Sequence, residues 1–291
     1  MFFLSKLSGL LIFLSFLTTL YSYFFSENLL IIAGIFAWVS FLILFSSLKN
    51  KTIIIVLLIL SVFAFCFSYF NGYKIDFVKV FTVNQYLLTL LIGVGFLRLI
   101  ATPKKDKLTQ FPIGKDSFIK TYFGVHLFGS VINLSSLILV ADKMYKKSPL
   151  TNTQVVLLTR AFASDAYWSP FFVAFAAAIT YAPKLDTSII LLNGIVLAFF
   201  AFLITYFEVV KNKEFKLDEF RGYPLSFESL YVPFILAILV LVTNYIYPNI
   251  KVIVLISTFS IFITLLIFPF KKGLSQSLIK FNNHVIEELP K

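Results

Sequence analysis

The sequence has few of the residues on which disulfide-linked proteins and many enzymes depend. It contains 1 cysteine, Cys66, and 2 histidines among 291 residues, so a disulfide framework and a cysteine-based metal site are excluded. No HExxH, GxSxG or Walker A sequence occurs, and the apolar runs hold too few acidic residues for a metal cage. We therefore predict a protein that is not an enzyme and that needs no cofactor beyond a coupling ion, Na⁺ or H⁺.

Charged residues are also scarce, at 13% of the chain, whereas hydrophobic residues make up 59%. The apolar residues form runs of about 18 or more, which is enough to span a bilayer as a helix. The net charge of +11 comes from Lys and Arg in the short gaps between these runs, where they act as topology signals. The sequence predicts an all-α polytopic protein of the inner (plasma) membrane, with the lipid bilayer and not nucleic acid as its partner.

Simple spans are predicted at 7–25, 28–48, 52–70, 84–101, 187–207, 226–247 and 250–270. Two irregular segments, 121–143 and 150–183, lie between the fourth and fifth of these. The second carries Arg160, Ser164, Asp165 and Ser169 before Pro170, and such groups are costly at membrane depth. We interpret it as a helix that is broken in the membrane around a polar site.

The distribution of Lys and Arg indicates which irregular segment turns back. If the N-terminus is cytoplasmic and both segments cross, the two sides carry similar positive charge, against the positive-inside rule. Turning 150–183 back gives an inside excess, and turning 121–143 back gives a larger one. The sequence thus predicts about eight crossings, a re-entrant hairpin at 121–143 that faces the cytoplasm, and one broken helix.

The order of these elements resembles the ion transporter superfamily of secondary carriers. That group includes divalent anion:sodium symporters, citrate carriers and arsenite-pump membrane subunits. The resemblance rests on GSVINLSS at the hairpin, on DAYWSPFF at the break and on the span order over about 1–270. The family's hairpin commonly ends in a Ser-Asn-Thr tip, and the nearest residues here are Asn133, Ser135 and Ser136.

The resemblance implies a domain organisation of inverted repeats. Residues 1–208 correspond to a first repeat, with scaffold helices in 7–101, the hairpin, the broken helix and the span at 187–207. Residues 209–224 are a cytoplasmic loop, 225–270 supply two spans that begin a second repeat, and 271–291 form an amphipathic cytoplasmic tail. A missing C-terminal half, or a homodimer, would then complete the carrier.

Candidate site residues follow from their chemistry and position. Small-anion binding is assigned to Arg160, because its guanidinium suits a carboxylate. The same role is assigned to five polar or aromatic residues: Ser164, Trp168, Ser169, Asn133 and Ser135. Coupling-ion binding is assigned to Asp165, Asn133, Ser136 and His126. Gly129 and Pro170 mark structural breaks, with Ser169 as the cap and Pro170 in the first turn of a restarted helix.

Each of these assignments has a plainer alternative. Arg160 could reach the cytoplasmic interface or pair with Asp165. Trp168 could simply pack, and His126 could be a satisfied hydrogen-bond partner between helices.

The sequence therefore predicts a secondary active transporter, or its N-terminal part, for a small anion such as an organic carboxylate, coupled to Na⁺ or H⁺. Proton-coupled cation antiport through Asp165 and His126 is the second hypothesis. A non-transporting membrane scaffold or assembly subunit is the third.

Overall fold

A computed structural model describes residues 2–101, 111–132, 134–182, 184–212, 215–223 and 231–290. Within these ranges the secondary structure is helical, and the single β-bridge joins Ile113 to Arg221. The α-helices are α1 (Phe2–Phe25), α2 (Leu30–Leu44), α3 (Lys51–Phe70), α4 (Phe77–Thr82), α5 (Gln85–Ala101), α6 (Lys115–Ile132), α7 (Leu134–Tyr145), α8 (Asn152–Ala163), α9 (Val173–Tyr181), α10 (Thr187–Lys211), α11 (Tyr231–Ile246), α12 (Val252–Lys272) and α13 (Leu274–Asn283).

In the described part of the chain, 6 helical stretches are long and apolar enough to cross a membrane. They are Phe3–Phe25, Glu27–Ser47, Lys51–Phe70, Phe77–Ile100, Thr187–Lys211 and Val252–Lys272. These stretches agree with six of the predicted spans, the predicted all-α class is confirmed for the described residues, and the apolar helices are compatible with a membrane protein. The predicted span at 226–247 begins in residues outside the described ranges and continues as the 16-residue helix α11.

The chain forms two compact units. One unit consists of Met1–Ile92 and Leu274–Lys291, and the other consists of Gly93–Gly273. The amphipathic tail, predicted as a separate cytoplasmic segment, therefore belongs with the first helices of the chain.

In the first unit, α1 and α2 pack through small and hydroxyl residues. Ser15 Oγ donates to the carbonyl of Ala33 at 2.8 Å, and Ser40 Oγ donates to the carbonyl of Ser8 at 3.0 Å. Hydroxyl bonds to backbone carbonyls join helices where lipid offers no hydrogen-bond partner. The tail covers α1, since Gly9 lies directly against the carbonyl of Val285, whereas α3 is exposed along its length, as a lipid-facing helix would be.

In the second unit, α6 packs against both α7 and α8 around a common core. The buried side chains of this core share an apolar or aromatic character and come from α6, α7, α8, α10 and the segment after α10; they include Phe118, Tyr122, Val125, Val140, Met144, Leu157, Leu158, Val209 and Phe220. Helix α10 completes the group through Val209. This core fixes the segment that follows α8 against α6.

Three connecting segments meet at one end of the second unit. The amide of Gly114 donates to Phe220 O at 2.9 Å, and Gly222 N donates to Pro112 O at 3.1 Å. The side chain of Gln154, in the first turn of α8, donates to Arg221 O at 2.7 Å. The start of α6, the start of α8 and the chain after α10 therefore lie side by side, around a cavity of about 620 Å³.

Candidate functional site

The helix that starts at Asn152 is interrupted, as the polar residues of 150–183 predict. Thr151 caps it in a reciprocal capping box with Gln154, with the two bonds at 3.3 Å and 2.8 Å. Helix α8 ends at Ala163, a 3₁₀ turn covers Ser164–Tyr167, and regular α-helix resumes only at Val173. The backbone between these helices is the polar centre of the segment, and we call residues 164–172 the break.

The restart of the helix differs from the prediction for Ser169 and Pro170. The N-cap of α9 is Phe172, without a side-chain cap, so Pro170 precedes the helix and is not in its first turn. Ser169 Oγ instead donates to the carbonyl of Ser130 in α6 and accepts from the amide of Phe171 at 3.2 Å. Ser169 thus ties the break to α6, because its hydroxyl satisfies groups that the interrupted helix leaves unpaired.

The break brings Asp165 to His126. Asp165 Oδ1 lies 2.8 Å from His126 Nδ1, and the side chain of Asp165 is 0% exposed. His126 Nδ1 also makes hydrogen bonds with the carbonyl of Ala161 at 3.1 Å and with Ser164 Oγ at 3.0 Å. The contact with Asp165 does not meet hydrogen-bond geometry, and no described residue donates to either carboxylate oxygen.

The opposite nitrogen of the same imidazole faces Trp168. Trp168 Nε1 donates to His126 Nε2 at 3.0 Å. Tyr122, one turn before His126 on α6, places its hydroxyl 3.4 Å from Ser164 Oγ, and Ser164 Oγ also lies 2.9 Å from the carbonyl of Ala161, to which it can donate. His126 is therefore held between the 3₁₀ turn on one side and the indole on the other.

Two glycines allow this close packing. A Cβ on Gly129 of α6 would meet the carboxylate of Asp165 and would lie 3.0 Å from Ser136 Oγ. A Cβ on Gly194 of α10 would meet the carbonyl of Tyr167 and would lie 2.8 Å from the Cα of Trp168. Gly129 was predicted to mark a break, but α6 runs through it to Ile132, and its role here is to admit Asp165.

A buried carboxylate in these surroundings is costly in its charged form. Transfer of a charge out of water is unfavourable by several kcal/mol or more unless hydrogen bonds or an opposite charge compensate for it. Here the described residues offer the carboxylate one imidazole nitrogen and no hydrogen-bond donor. The group is therefore set up to take up a proton or a cation.

Arg160 has a different partner from those predicted. Its guanidinium binds Glu208 of α10 with two hydrogen bonds, at 2.5 Å and 3.2 Å, and the two side chains are 39% and 44% exposed. Arg160 therefore neither pairs with Asp165 nor presents an unoccupied guanidinium at the break. A half-exposed pair of this kind contributes little to stability, about 0–1 kcal/mol.

The remaining predicted residues divide by position. Ser136 is buried in α7 beside Gly129. Asn133 lies outside the described residues. Ser135 belongs to α7, and its side chain is not among those described. Prediction from sequence missed Tyr122, whose spacing of four residues from His126 places both on one face of a helix, and Glu208, one residue beyond the predicted end of its span.

Among the described residues there is no group of three or more His, Cys, Asp or Glu that could hold a metal ion. No family model matches the chain, and comparison with curated proteins and with solved structures gives no match. Functional argument therefore rests on the geometry of the break.

Proposed function

We propose that this protein is a proton-coupled secondary carrier in which Asp165, with His126, binds the coupling ion. The observation that supports the proposal is a fully buried carboxylate, without a hydrogen-bond donor from the described residues, beside a histidine at a helix break. Ionisable residues inside membrane proteins commonly serve proton relays and ion pathways. Discontinuous helices are where secondary carriers bind substrates and coupling ions.

The charge at the break favours a cation as cargo. Asp165 supplies a negative charge, while the guanidinium that would attract an anion is bound to Glu208. A single carboxylate that alternately binds a proton and a monovalent cation gives exchange, because the two cannot occupy it together. Symport of a small organic anion, as the sequence predicted, would require Arg160 to leave Glu208.

We also propose that α6 and α7 form the re-entrant hairpin. The start of α6 is bonded to the segment after α10, and Ser148 and Pro149, after α7, line the same cavity as Ile113 and Arg221. If α6 enters from one side and α7 returns to it, then α8, the break and α9 cross, and α10 crosses back. This order supports the predicted topology with that end in the cytoplasm.

The first test is proton flux in proteoliposomes that contain the purified protein and a pH dye. An outward Na⁺ or K⁺ gradient should acidify the lumen, because each exported cation is exchanged for a proton. The variant Arg160→Gln should keep the flux within about twofold, since the Arg160–Glu208 pair is half-exposed and contributes little. Flux that needs an added carboxylate and is lost in Arg160→Gln would favour anion symport, and no flux under either gradient would reject the carrier.

Single cysteines test the topology in a Cys66→Ser background. Lys146→Cys and Lys216→Cys should react with an impermeant maleimide only after the cytoplasmic side is opened, because both residues are exposed and lie on connections that meet at the same end. Lys184→Cys, between α9 and α10, should react from outside. Labelling of Lys146→Cys and Lys216→Cys from opposite sides would contradict the hairpin.

A further inference from the structure

We infer that Trp168 is a positioning residue that holds His126 as the neutral Nδ1–H tautomer. This tautomer directs the imidazole proton toward Asp165 and the 3₁₀ turn. The consequence for transport rests on the function proposed above. The tautomer itself does not depend on that function and can be measured without any transport assay.

The hydrogen-bond chemistry of the indole fixes the tautomer. An indole N–H can donate and cannot accept, and Trp168 Nε1 lies 3.0 Å from His126 Nε2. Nε2 must therefore be the unprotonated nitrogen, and a neutral imidazole then carries its proton on Nδ1. The surroundings of Nδ1 agree, because Ala161 O at 3.1 Å and Ser164 Oγ at 3.0 Å can accept its proton, and the carboxylate oxygen Asp165 Oδ1 lies 2.8 Å away without hydrogen-bond geometry.

The same geometry opposes protonation of His126 while Trp168 is in place. An imidazolium carries protons on both nitrogens, so Nε2–H would point directly at the indole N–H. Two donors would then face each other across the Trp168 Nε1–His126 Nε2 contact. His126 can gain its second proton only if Trp168 turns away, and the carboxyl of Asp165 is left as the group that takes the proton first.

Trp168 is placed where such a movement would be coupled to the break. It follows the 3₁₀ turn with a backbone conformation that is not helical, at φ −135° and ψ −24°, and it is half-buried. Gly194 of α10 lies directly against its Cα. A shift of the break relative to α10 would therefore displace the backbone that carries the indole.

Apart from Asp165, the charged groups on the elements around His126 bind other partners or lie away from it. Asp165 supplies the charge that acts on it, and Tyr122 on its own helix stacks with it at 6.3 Å between ring centroids. Arg160 on α8 is bound to Glu208, and Asp142 on α7 is bound to Lys146. The segment after α10 also has titratable residues, but these lie at the end of the second unit where the three connecting segments meet. Four of them line the cavity there: Lys216, Asp218, Glu219 and Arg221.

Nitrogen NMR of the full-length protein, labelled with ¹⁵N-histidine in micelles, tests the inference. The chain has 2 histidines, so the variant His126→Gln assigns their signals. We expect wild-type His126 to show the Nδ1–H tautomer at neutral pH. In Trp168→Phe we expect a mixture with the Nε2–H tautomer, because the hydrogen bond that selects the Nδ1–H tautomer is lost.

The matched control is Trp38→Phe, which replaces the other tryptophan of the chain and should leave the His126 signals unchanged. An Nε2–H tautomer or an imidazolium in the wild-type protein at neutral pH would overturn the inference, even if Trp168→Phe failed to fold. A Trp168→Phe spectrum identical to wild type would overturn it as well. The expected tautomer in a protein without proton flux would leave this inference intact and reject the carrier function instead.

Discussion

Asp165→Asn should reduce ion-driven proton flux in proteoliposomes to below about a tenth of the wild-type rate. The substitution keeps the size and polarity of the side chain but removes the carboxyl that can bind a proton or a cation. His126 cannot replace it, because Trp168 occupies its second nitrogen in the resting arrangement. The loss should appear equally with Na⁺ and K⁺ gradients, since both depend on the same group.

The fold should tolerate this change. Asn is neutral, so the variant no longer buries a charge for which the described residues supply no hydrogen-bond donor. We therefore expect thermal unfolding in detergent to correspond to wild-type stability within about 1 kcal/mol. A large drop in stability would mean that the carboxylate is held by compensating contacts and is not available for an ion.

The matched control is Asp116→Asn, which makes the same chemical change at an exposed position. Asp116 lies in the first turn of α6 and is 86% exposed, beside Lys120 at 3.7 Å. It should leave the flux within about twofold of wild type, because an exposed pair contributes little. Wild-type flux through Asp165→Asn would remove Asp165 from the coupling site.

The sequence was sufficient for the parts of the structure that depend on local pattern. Long apolar runs predicted six of the helices that can span the membrane, because hydropathy decides the state of such segments almost without regard to their neighbours. The interruption after Ala163 was also predictable, since Ser164, Asp165 and Ser169 occur together in a segment too long for one span.

The contacts across the site join residues that are far apart in the sequence, so no local sequence pattern predicts them. Asp165 could have paired with Arg160 on the next turn, but five residues along an α-helix are not on the same face, and the 3₁₀ turn moves Asp165 toward α6. Arg160 instead binds Glu208, which lies 48 residues further along the chain. Only the packing of α6, α8 and α10 around one core decides these pairs.

Ser169 and Pro170 show why a motif with a sound physical reason can still be placed wrongly. A Ser-Pro pair at a helix start is favoured because Ser caps and Pro needs no hydrogen bond. Here Ser169 Oγ donates to the carbonyl of Ser130 and accepts from the amide of Phe171, but regular α-helix begins only at Val173. Local preference placed the Ser-Pro pair near the restart, and the structure places the first helical residue three positions after Pro170.

Gly194→Ala should destabilise the protein by about 1–3 kcal/mol, the range for overpacking a tight contact. The sign is the informative part, because alanine in an ordinary helix is more favourable than glycine by up to about 1 kcal/mol. At Gly194 the new methyl group would collide with the backbone of Tyr167 and would lie 2.8 Å from the Cα of Trp168. Backbone atoms cannot turn aside as a side chain can, so the break itself must move away from α10.

Displacement of the break should also disturb the coupling site, because Trp168 carries the hydrogen bond to His126. We therefore expect Gly194→Ala to lower both the thermal unfolding temperature in detergent and the proton flux, and to weaken the Nδ1–H signal of His126. Asn193→Ala is the control on the same helix, since Asn193 is exposed and its side chain donates to Ile189 O, one turn earlier. Stability at or above wild type in Gly194→Ala would show that the break does not rest on α10, and the coupling between Trp168 and this helix would then have to be abandoned.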